Sequence, residues 1–244
     1  MRDDSIDFTE DAYRALLKSL LRRWRPIRYV DHAQEGRVCL WRHDVDLSPP
    51  RALRLAEIEV EEGVRATYFI HLCSLHYNAL DEVTTTTFRR IADLGHDLGL
   101  HLDVPCRPGI SGAEALRLLE SQAALLAAMH ERPLVAFSIH DPDKTGWVTE
   151  EDVVGGLVNA SGRSIRARYS YCSDSNGYWR HRRIMDVVEA GAEERLHVLT
   201  HPEWWRESPM PPRQRVERCI AERAELVRAR YDSALREAGR LNIG

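Results

Sequence analysis

Short apolar runs alternate with amphipathic helical patterns along most of the chain. The runs that predict strands are RVCLW, RATYFIHL, LGLHL, LVAFSIH, ARYSYCS and RLHVLTH. Between them, apolar residues recur at spacings of three and four, which predicts helices. Strands that alternate with helices are typical of a parallel sheet covered by helices. The pattern therefore predicts an α/β protein whose sheet is either open or closed into a barrel.

Capping residues mark several of the predicted helix boundaries. Thr9 predicts the start of a helix that precedes the first strand, and Ser48 predicts the start of another that ends at Gly63. Ser111 and Glu114 form a capping-box pattern before a long apolar helix. With the predicted strands, these helices give a βαβ order.

Two segments depart from the short repeating units. The last segment, from Val216 to Leu235, has the periodicity of a long amphipathic helix. The stretch from Asp141 to Ser164 is polar and rich in glycine, which predicts a long loop with at most one short helix. Such a loop could act as a lid.

Composition and charge narrow the class of partner. The chain has 244 residues, of which 43% are hydrophobic and 30% charged, and this is enough for the core of one domain over residues 1–244. The formal net charge of -4 shows no basic bias, so we expect neither nucleic acid nor an anionic membrane as partner. A small molecule or an oligosaccharide is the expected ligand.

The sequence predicts a cytoplasmic protein with reduced thiols. No apolar run reaches the roughly 18 residues that a membrane helix needs, and the first twenty residues lack the apolar core of a signal peptide. The cysteines are scattered, odd in number and without a C-x-x-C pair, which disfavours both a disulfide framework and a cysteine zinc site. They are Cys39, Cys73, Cys106, Cys172 and Cys219.

Histidines and aspartates follow several of the predicted strands directly. Because the carboxyl ends of parallel strands meet at one edge of a sheet, we expect these side chains to lie close together. Carboxylates and imidazoles on one small patch repel on protonation or compete for solvent unless a cation organises them. The residues concerned are His43, Asp44, Asp46, His101, Asp103, His140, Asp174 and His201.

This mixture of ligand types predicts one divalent transition metal. Imidazole and carboxylate without thiolate suit zinc, with nickel, cobalt, iron or manganese as alternatives, whereas calcium and magnesium favour oxygen ligands alone. A catalytic zinc keeps one position open and lowers the pKa of water there to about 7, which supplies hydroxide for hydrolysis. A nearby carboxylate can then act as base and a histidine as acid.

The segments RHDVD, ALRLAEIEVEEGVRATYF and GHDLGLHLD together resemble the polysaccharide deacetylase family, also known as carbohydrate esterase family 4. The resemblance is strong over residues 38–103 and weaker at SIH and LTHPEWW. It implies a distorted (β/α) barrel with about seven parallel strands, here with extra helices at both termini. By resemblance, Asp44 is the catalytic base, Asp46 and His101 bind metal, and His201 is the catalytic acid.

One position departs from the family pattern. The second metal histidine of the family follows the first by four residues, and that position here is Pro105. We expect His140 to replace it, because His140 ends the next parallel strand and should face the same edge as His101. His96 is the alternative, although its odd offset from His101 points the two side chains to opposite faces of a strand.

Three further residues are predicted to contact substrate. Arg42 either shapes the site or balances the charge of the neighbouring carboxylates. Asp174 either orients Arg42, contacts a sugar hydroxyl or forms a local turn. Trp205, with Trp204, either stacks on a sugar ring or packs in the core.

The sequence thus predicts a metal-dependent hydrolase that cleaves a linear amide C–N bond. The expected reaction removes an N-acetyl or similar acyl group from an amino sugar or a related soluble metabolite. The missing second histidine leaves open a weakly active or inactive protein that binds carbohydrate or regulates. Two histidines and one carboxylate would also suit an oxygen-using iron enzyme, although the deacetylase-like motifs disfavour it.

Overall fold

The computed structural model describes residues 4–104, 110–144 and 147–243. The helices α1 to α7 span Glu10–Leu21, Pro49–Glu62, Glu82–Asp93, Gly112–His130, Arg163–Arg168, Ile184–Ala190 and Pro212–Glu237. The strands β1 to β9 span Arg25–Ile27, Val38–Val45, Thr67–His71, Asp97–Leu102, Ala136–Ile139, Val153–Val154, Leu157–Asn159, Ser170–Ser173 and Arg195–Thr200. No helix within these ranges is long and apolar enough to cross a membrane.

The strands form one curled, mostly parallel sheet. Its order is β6-β7-β5-β4-β3-β2-β9-β8, and β1 pairs with the first half of β2. Along this order the seven strands from β7 to β8 are parallel to their neighbours, while β6 runs antiparallel to β7. The sheet forms a half-barrel with covering helices, which confirms the predicted distorted (β/α) barrel. The single catalytic domain over residues 1–244 stays a prediction.

The predicted caps form as expected. The side chain of Thr9 accepts a hydrogen bond from the amide of Ala12, and that of Ser48 accepts one from Arg51. Helix α2 ends at Gly63, whose positive φ suits glycine. Ser111 and Glu114 form both halves of the capping box. Local signals were therefore sufficient to place these helix termini.

The segment 141–164 differs from the predicted loop. Its second half forms the short antiparallel hairpin of β6 and β7, and β7 extends the sheet beside β5. Gly155 and Gly156 connect the two strands with φ values of 57° and 80°. Two consecutive residues with positive φ make the turn that matches strand twist in a hairpin. The pair of glycines between VV and LV was the signal for this turn.

Successive side chains of β2 point to opposite faces of the sheet, and His43 points away from the face that carries Asp44. His43 is fully buried and points towards α2, where its Nε2 lies 2.6 Å from Oε1 of Glu59. The hydroxyls of Tyr13 and Tyr68 also donate to the Glu59 carboxylate. On the other side of His43, Nδ1 lies 2.8 Å from Oγ1 of Thr200 in β9. This buried polar network connects α1, α2, β2, β3 and β9 behind the carboxyl edge of the sheet.

Helix α7 leaves much of its apolar stripe in contact with solvent. Ile220, Val227 and Tyr231 are each more than half exposed, whereas Arg215 and Cys219 near its start are buried. The predicted helix is confirmed, and the amphipathic pattern reflects packing of its first turns only.

We expect Glu59 to be a major contributor to stability, because it is a buried charge with three hydrogen-bond partners. Changing Glu59→Ala should lower the free energy of unfolding by about 3–5 kcal/mol, since the partners would remain buried without an acceptor. Urea unfolding at neutral pH measures this difference. Glu61→Gln, in the same helix but exposed, is the matched control and should change stability little.

The contribution of Glu59 should also depend on pH. Burial alone raises the pKa of this carboxyl, but the attraction of His43 and His96 outweighs burial and holds the pKa below its usual 4.5. A depressed folded pKa gives stability that is complete above the unfolded pKa and lost as pH falls. The difference in stability between wild type and Glu59→Gln should therefore shrink below pH 4.5. A difference that stays constant down to pH 3 would contradict this account.

Candidate metal centre

The carboxyl ends of β2, β4 and β5 bring three predicted ligands together. Nε2 of His101 lies 3.4 Å and Nδ1 of His140 lies 3.6 Å from Oδ1 of Asp46. The two imidazole nitrogens are 3.0 Å apart. All three ligand atoms lie within 4.8 Å of one another, so the three side chains form a candidate metal site.

The local environment of Asp46 fits a cation. Its Oδ1 is buried and has no hydrogen-bond partner among the described residues, although three imidazoles surround it. Burial alone raises the pKa of Asp46, but the attraction of nearby His71, His101 and His201 outweighs burial and lowers the pKa. The carboxylate is thus ionised at neutral pH, and a nitrogen–nitrogen–oxygen donor set suits zinc and related transition metals.

His101 is held in an orientation that suits a ligand. Its Nδ1 lies 2.7 Å from Oγ of Ser138 in β5, and the Ser138 hydroxyl lies 3.4 Å from Oδ1 of Asp44. Donation from Nδ1–H to Ser138 would leave the lone pair of Nε2 directed towards Asp46. Burial lowers the pKa of His101 to about 4, so the ring is neutral at neutral pH. Metal ligation requires this neutral form.

Asp44 lies beside this cluster and is held by Arg42. Nη2 of Arg42 donates to Oδ2 of Asp44 over 2.8 Å, and Nδ1 of His101 lies 3.7 Å from the same oxygen. Burial raises the pKa of Asp44, but the positive charge of Arg42 more than compensates and the pKa is lowered. Asp44 is therefore a carboxylate at neutral pH, as a base must be.

His201 faces the cluster from the end of β9 and is oriented by Asp174. Nδ1 of His201 lies 2.7 Å from Oδ1 of Asp174, and its Nε2 lies 3.9 Å from Oδ2 of Asp46. The backbone amide of His201 also donates to the Asp174 carboxylate. Burial alone would lower the pKa of His201, but the charge of Asp174 raises it to about 10. His201 is therefore protonated at neutral pH.

Two of the three residues predicted to contact substrate are buried and hold His201 in place. Asp174 is fully buried, and its carboxylate pairs with His201. Trp205 is also buried, and its Nε1 donates to Oδ2 of Asp174 over 3.0 Å while its ring packs against Tyr13. Asp174 thus orients the His201 ring, and Trp205 holds the Asp174 carboxylate in place. The sequence around Trp205 does not distinguish between its two predicted roles, stacking on a sugar ring and packing in the core.

Arg42 is also buried and pairs with Asp44, and its guanidinium lies over the ring of Phe69. Of its two predicted roles, charge compensation is the one that this geometry matches. Its contact with substrate stays a prediction.

The alternative ligand His96 lies away from the site. It is buried against α2, where its Nε2 lies 3.1 Å from the carbonyl oxygen of Ala56 and its Nδ1 accepts from the amide of Ala66. His96 precedes β4, which begins at Asp97, whereas His101 lies near the carboxyl end of that strand, so the two side chains lie near opposite ends of β4. Pro105, the position of the family's second histidine, lies outside the described residues, as does Cys106. The remaining four cysteines are free thiols.

The structure adds His71, which the sequence interpretation missed. It ends β3 directly beside His101, and its Nδ1 lies 3.6 Å from Oδ1 of Asp46. Its Nε2 lies 3.5 Å from Oδ2 of Asp103, and its ring centroid lies 4.4 Å from that of His140. The rule that found the other histidines, a titratable residue at a strand end, also applies to His71 in the run RATYFIHL.

Glu203 is a second addition. It is fully buried, and neither carboxylate oxygen has a hydrogen-bond partner among the described residues. Burial raises the pKa of Glu203, only partly opposed by the charge of His201. A raised pKa favours the neutral carboxylic acid, which limits the cost of burying this group.

No family model matches the chain, and no curated protein matches it. Among solved structures, a chitin deacetylase from the fungal pathogen Colletotrichum lindemuthianum is similar, with 13% identity and a TM-score of 0.45 over 82% of this chain and 86% of that chain. A carbohydrate esterase family 4 pseudoenzyme from Bacillus anthracis matches with 14% identity and a TM-score of 0.46, over 79% of this chain and 62% of that chain.

A mutant of the same pseudoenzyme with restored enzymatic activity matches with 13% identity and a TM-score of 0.46, over 79% of this chain and 64% of that chain. The chain thus spans less than two thirds of the length of the pseudoenzyme chains. The likeness to the polysaccharide deacetylase family is the one that the sequence motifs carry.

Changing His101→Asn or His140→Asn should weaken zinc binding by at least about 100-fold, because each change removes one of three protein ligands. Competition with a chromophoric chelator measures the affinity. The control is His181→Asn, which changes an exposed histidine outside the cluster and should leave the zinc affinity unchanged. Zinc affinity equal to wild type in both ligand variants would rule out this site.

The change His71→Asn should weaken zinc binding about tenfold, less than the loss of a ligand. His71 contacts Asp46 and Asp103 rather than completing the group of three, so its role would be to orient a ligand. The same chelator competition distinguishes the cases. A loss as large as that of His101→Asn would make His71 a ligand in its own right.

Proposed function

We propose that this protein is a metal-dependent hydrolase that removes an N-acetyl or similar acyl group from an amino sugar or a related soluble metabolite. The observation that carries the proposal is the grouping of Asp46, His101 and His140 beside a separately held carboxylate and a separately held imidazole. A hydrolase of this type needs a metal site, a base and an acid within reach of one another.

Asp46, His101 and His140 would hold the metal, and we propose zinc. When bound, it would polarise the acyl carbonyl and promote ionisation of water. Asp46 and His140 retain partly exposed side chains, at 18% and 26%, while His101 is buried at 3%. The open side of the site is therefore next to Asp46 and His140, where an acyl group would enter.

Asp44 would act as the general base. Its pairing with Arg42 through Oδ2 keeps it ionised, and Oδ1, which lies 3.4 Å from the Ser138 hydroxyl, would take a proton from the attacking water. The same pairing makes Asp44 a weak base in isolation. The proton would pass to Asp44 as the water oxygen bonds to the acyl carbon, and Asp44 would lose it to solvent before the next turnover.

His201 would act as the general acid. It carries a proton at neutral pH because of Asp174, and its Nε2 lies 3.9 Å from Oδ2 of Asp46. As the tetrahedral intermediate collapses, Nε2–H would protonate the leaving nitrogen, and the C–N bond would break to give a carboxylic acid and a free amine. Asp174 would hold the resulting neutral ring in place through Nδ1–H.

We propose a soluble substrate and a cytoplasmic location. The support is the free thiols of the four described cysteines, which are typical of a reducing compartment. Acetylated amino sugars, free or nucleotide-linked, have the amide that the proposed chemistry requires.

The direct test is acetate release by the zinc-loaded protein from N-acetylated sugars and nucleotide-linked sugars. We expect release that chelation abolishes and added zinc restores. Asp44→Asn should reduce kcat by about 10²–10⁴-fold while zinc still binds, since it removes the proton acceptor only. Zinc-loaded protein that binds such a sugar but never releases acetate would instead indicate a binding or regulatory protein.

The acid assignment predicts a particular change in pH dependence. Because His201 must be protonated to act, kcat should fall as pH rises through its pKa, which lies near 10 in the absence of metal. Asp174→Asn removes the charge that raises this pKa, so the basic limb of the profile should move to lower pH by at least about two pH units.

A nuclear magnetic resonance titration of His201 in metal-free protein provides an independent readout of the same pKa. Asp143→Asn removes one carboxylate elsewhere and should leave the profile unchanged. A basic limb that does not move in Asp174→Asn would remove His201 from the acid role.

A further inference from the structure

The last strand of the sheet, β8, keeps one of its two faces accessible. Tyr171 is 51% exposed and Ser173 is partly exposed, whereas the alternate residues Cys172 and Asp174 are buried. In the part of the chain that the structure describes, no strand pairs with the outer edge of β8. The side chains of Tyr171 and Ser173 can therefore be reached from the open side of the half-barrel.

The strand register shows that this accessible face is the one that carries the proposed base. Tyr171 pairs with His197 of β9, and His197 pairs with Leu40 of β2. Asp44 follows Leu40 by four residues, and an even offset keeps both side chains on one face of a strand. Tyr171, His197 and Asp44 thus project to the same side of the sheet.

The Tyr171 ring is in contact with this face without being covered. Its centroid lies 5.4 Å from that of the His197 ring, with 67° between the two planes. Partial burial raises the pKa of the Tyr171 phenol, the charge of Arg42 lowers it and the charge of Asp44 raises it. The phenol therefore interacts with both charged groups next to the site, while about half of the side chain remains open to a ligand.

The order of the strands indicates which part of a substrate would lie on this face. The proposed metal ligands lie at the ends of β2, β4 and β5, and the proposed acid His201 follows β9, which lies between β2 and β8. An acid that protonates the leaving nitrogen must lie next to the group that carries this nitrogen. With the acyl group on the side of β4 and β5, the leaving group extends from β9 towards β8.

We infer that the accessible face of β8 binds the sugar ring of the substrate, with the ring against Tyr171 and its hydroxyls at Ser173 and Ser175. An exposed tyrosine ring offers a flat apolar surface to the C–H groups of a pyranose. The hydroxyl oxygens of Ser173 and Ser175 lie 3.0 Å apart, and each can donate and accept hydrogen bonds, as a sugar hydroxyl requires. The inference rests on the proposed hydrolase function and assigns its sugar specificity to the leaving-group side.

The test compares two substrates, N-acetylglucosamine and N-acetylethanolamine, which share the amide but differ in the sugar ring. In Tyr171→Ala, the ratio of kcat/KM for the sugar to kcat/KM for the ring-free amide should fall about tenfold, because the contact with the ring is lost. Tyr171→Phe keeps the aromatic surface and should stay within about threefold of the wild-type ratio. The matched control is Tyr231→Ala on α7, which removes a similarly exposed tyrosine and should leave the ratio unchanged. An unchanged ratio in Tyr171→Ala, or an equal loss in Tyr171→Phe, would overturn the proposal.

The serine hydroxyls have a test of their own. The double variant Ser173→Ala/Ser175→Ala should lower the same ratio about threefold to tenfold, since both hydrogen-bonding groups of this face are removed. A ratio equal to wild type would contradict the assignment of these hydroxyls to the sugar.

Binding without turnover separates this inference from the hydrolase proposal. A nuclear magnetic resonance titration of the zinc-loaded Asp44→Asn protein with N-acetylglucosamine should show saturable binding, and adding Tyr171→Ala should weaken it about tenfold. Binding that depends on Tyr171 in a protein that never releases acetate would support this face and contradict the hydrolase. Acetate release from the sugar with no dependence of binding on Tyr171 would support the hydrolase and contradict this face. No binding of the sugar at all would also overturn the inference.

Discussion

The arrangement of the site depends on the close approach of imidazole nitrogens to one carboxylate oxygen, Oδ1 of Asp46. His71, His101 and His140 each place a nitrogen 3.4–3.6 Å from this atom, yet none is close enough for a strong hydrogen bond and the oxygen has no partner among the described residues. Such an arrangement is unfavourable for an isolated carboxylate in a buried site. It becomes favourable when a cation takes the space between the donors.

The parallel pairing of the strands brings these side chains together at one edge of the sheet. Along β2, alternate side chains point to opposite faces, so residues of the site alternate with a residue of the buried network behind it. Arg42 and Asp44 lie on the side of the site, whereas His43 between them is buried against Glu59. The Glu59 network reaches Thr200, the residue before His201, through His43. Both of the groups proposed to move protons are therefore anchored to buried ion pairs or hydrogen bonds, which limits the side-chain freedom that catalysis would otherwise have to overcome.

Much of this arrangement was predictable because strand ends are a local feature of the sequence. The positions of His101 and His140 followed from the βαβ rhythm alone, and the RHDVD motif supplied Asp44 and Asp46. The partner of His201 was not predictable, because Asp174 lies 27 residues away and its burial depends on the packing of Trp205. The burial of Asp174 and Trp205 results from tertiary packing, and the spacing of apolar residues along the sequence does not predict it.

The most direct test of the central claim is anomalous X-ray scattering at the zinc edge from crystals of the intact protein grown with zinc. The account predicts one strong peak about 2.0–2.2 Å from an Asp46 oxygen, Nε2 of His101 and Nδ1 of His140, with Asp44 outside the ligand shell. A protein that binds zinc elsewhere, or none at all with these three side chains as described, would contradict it.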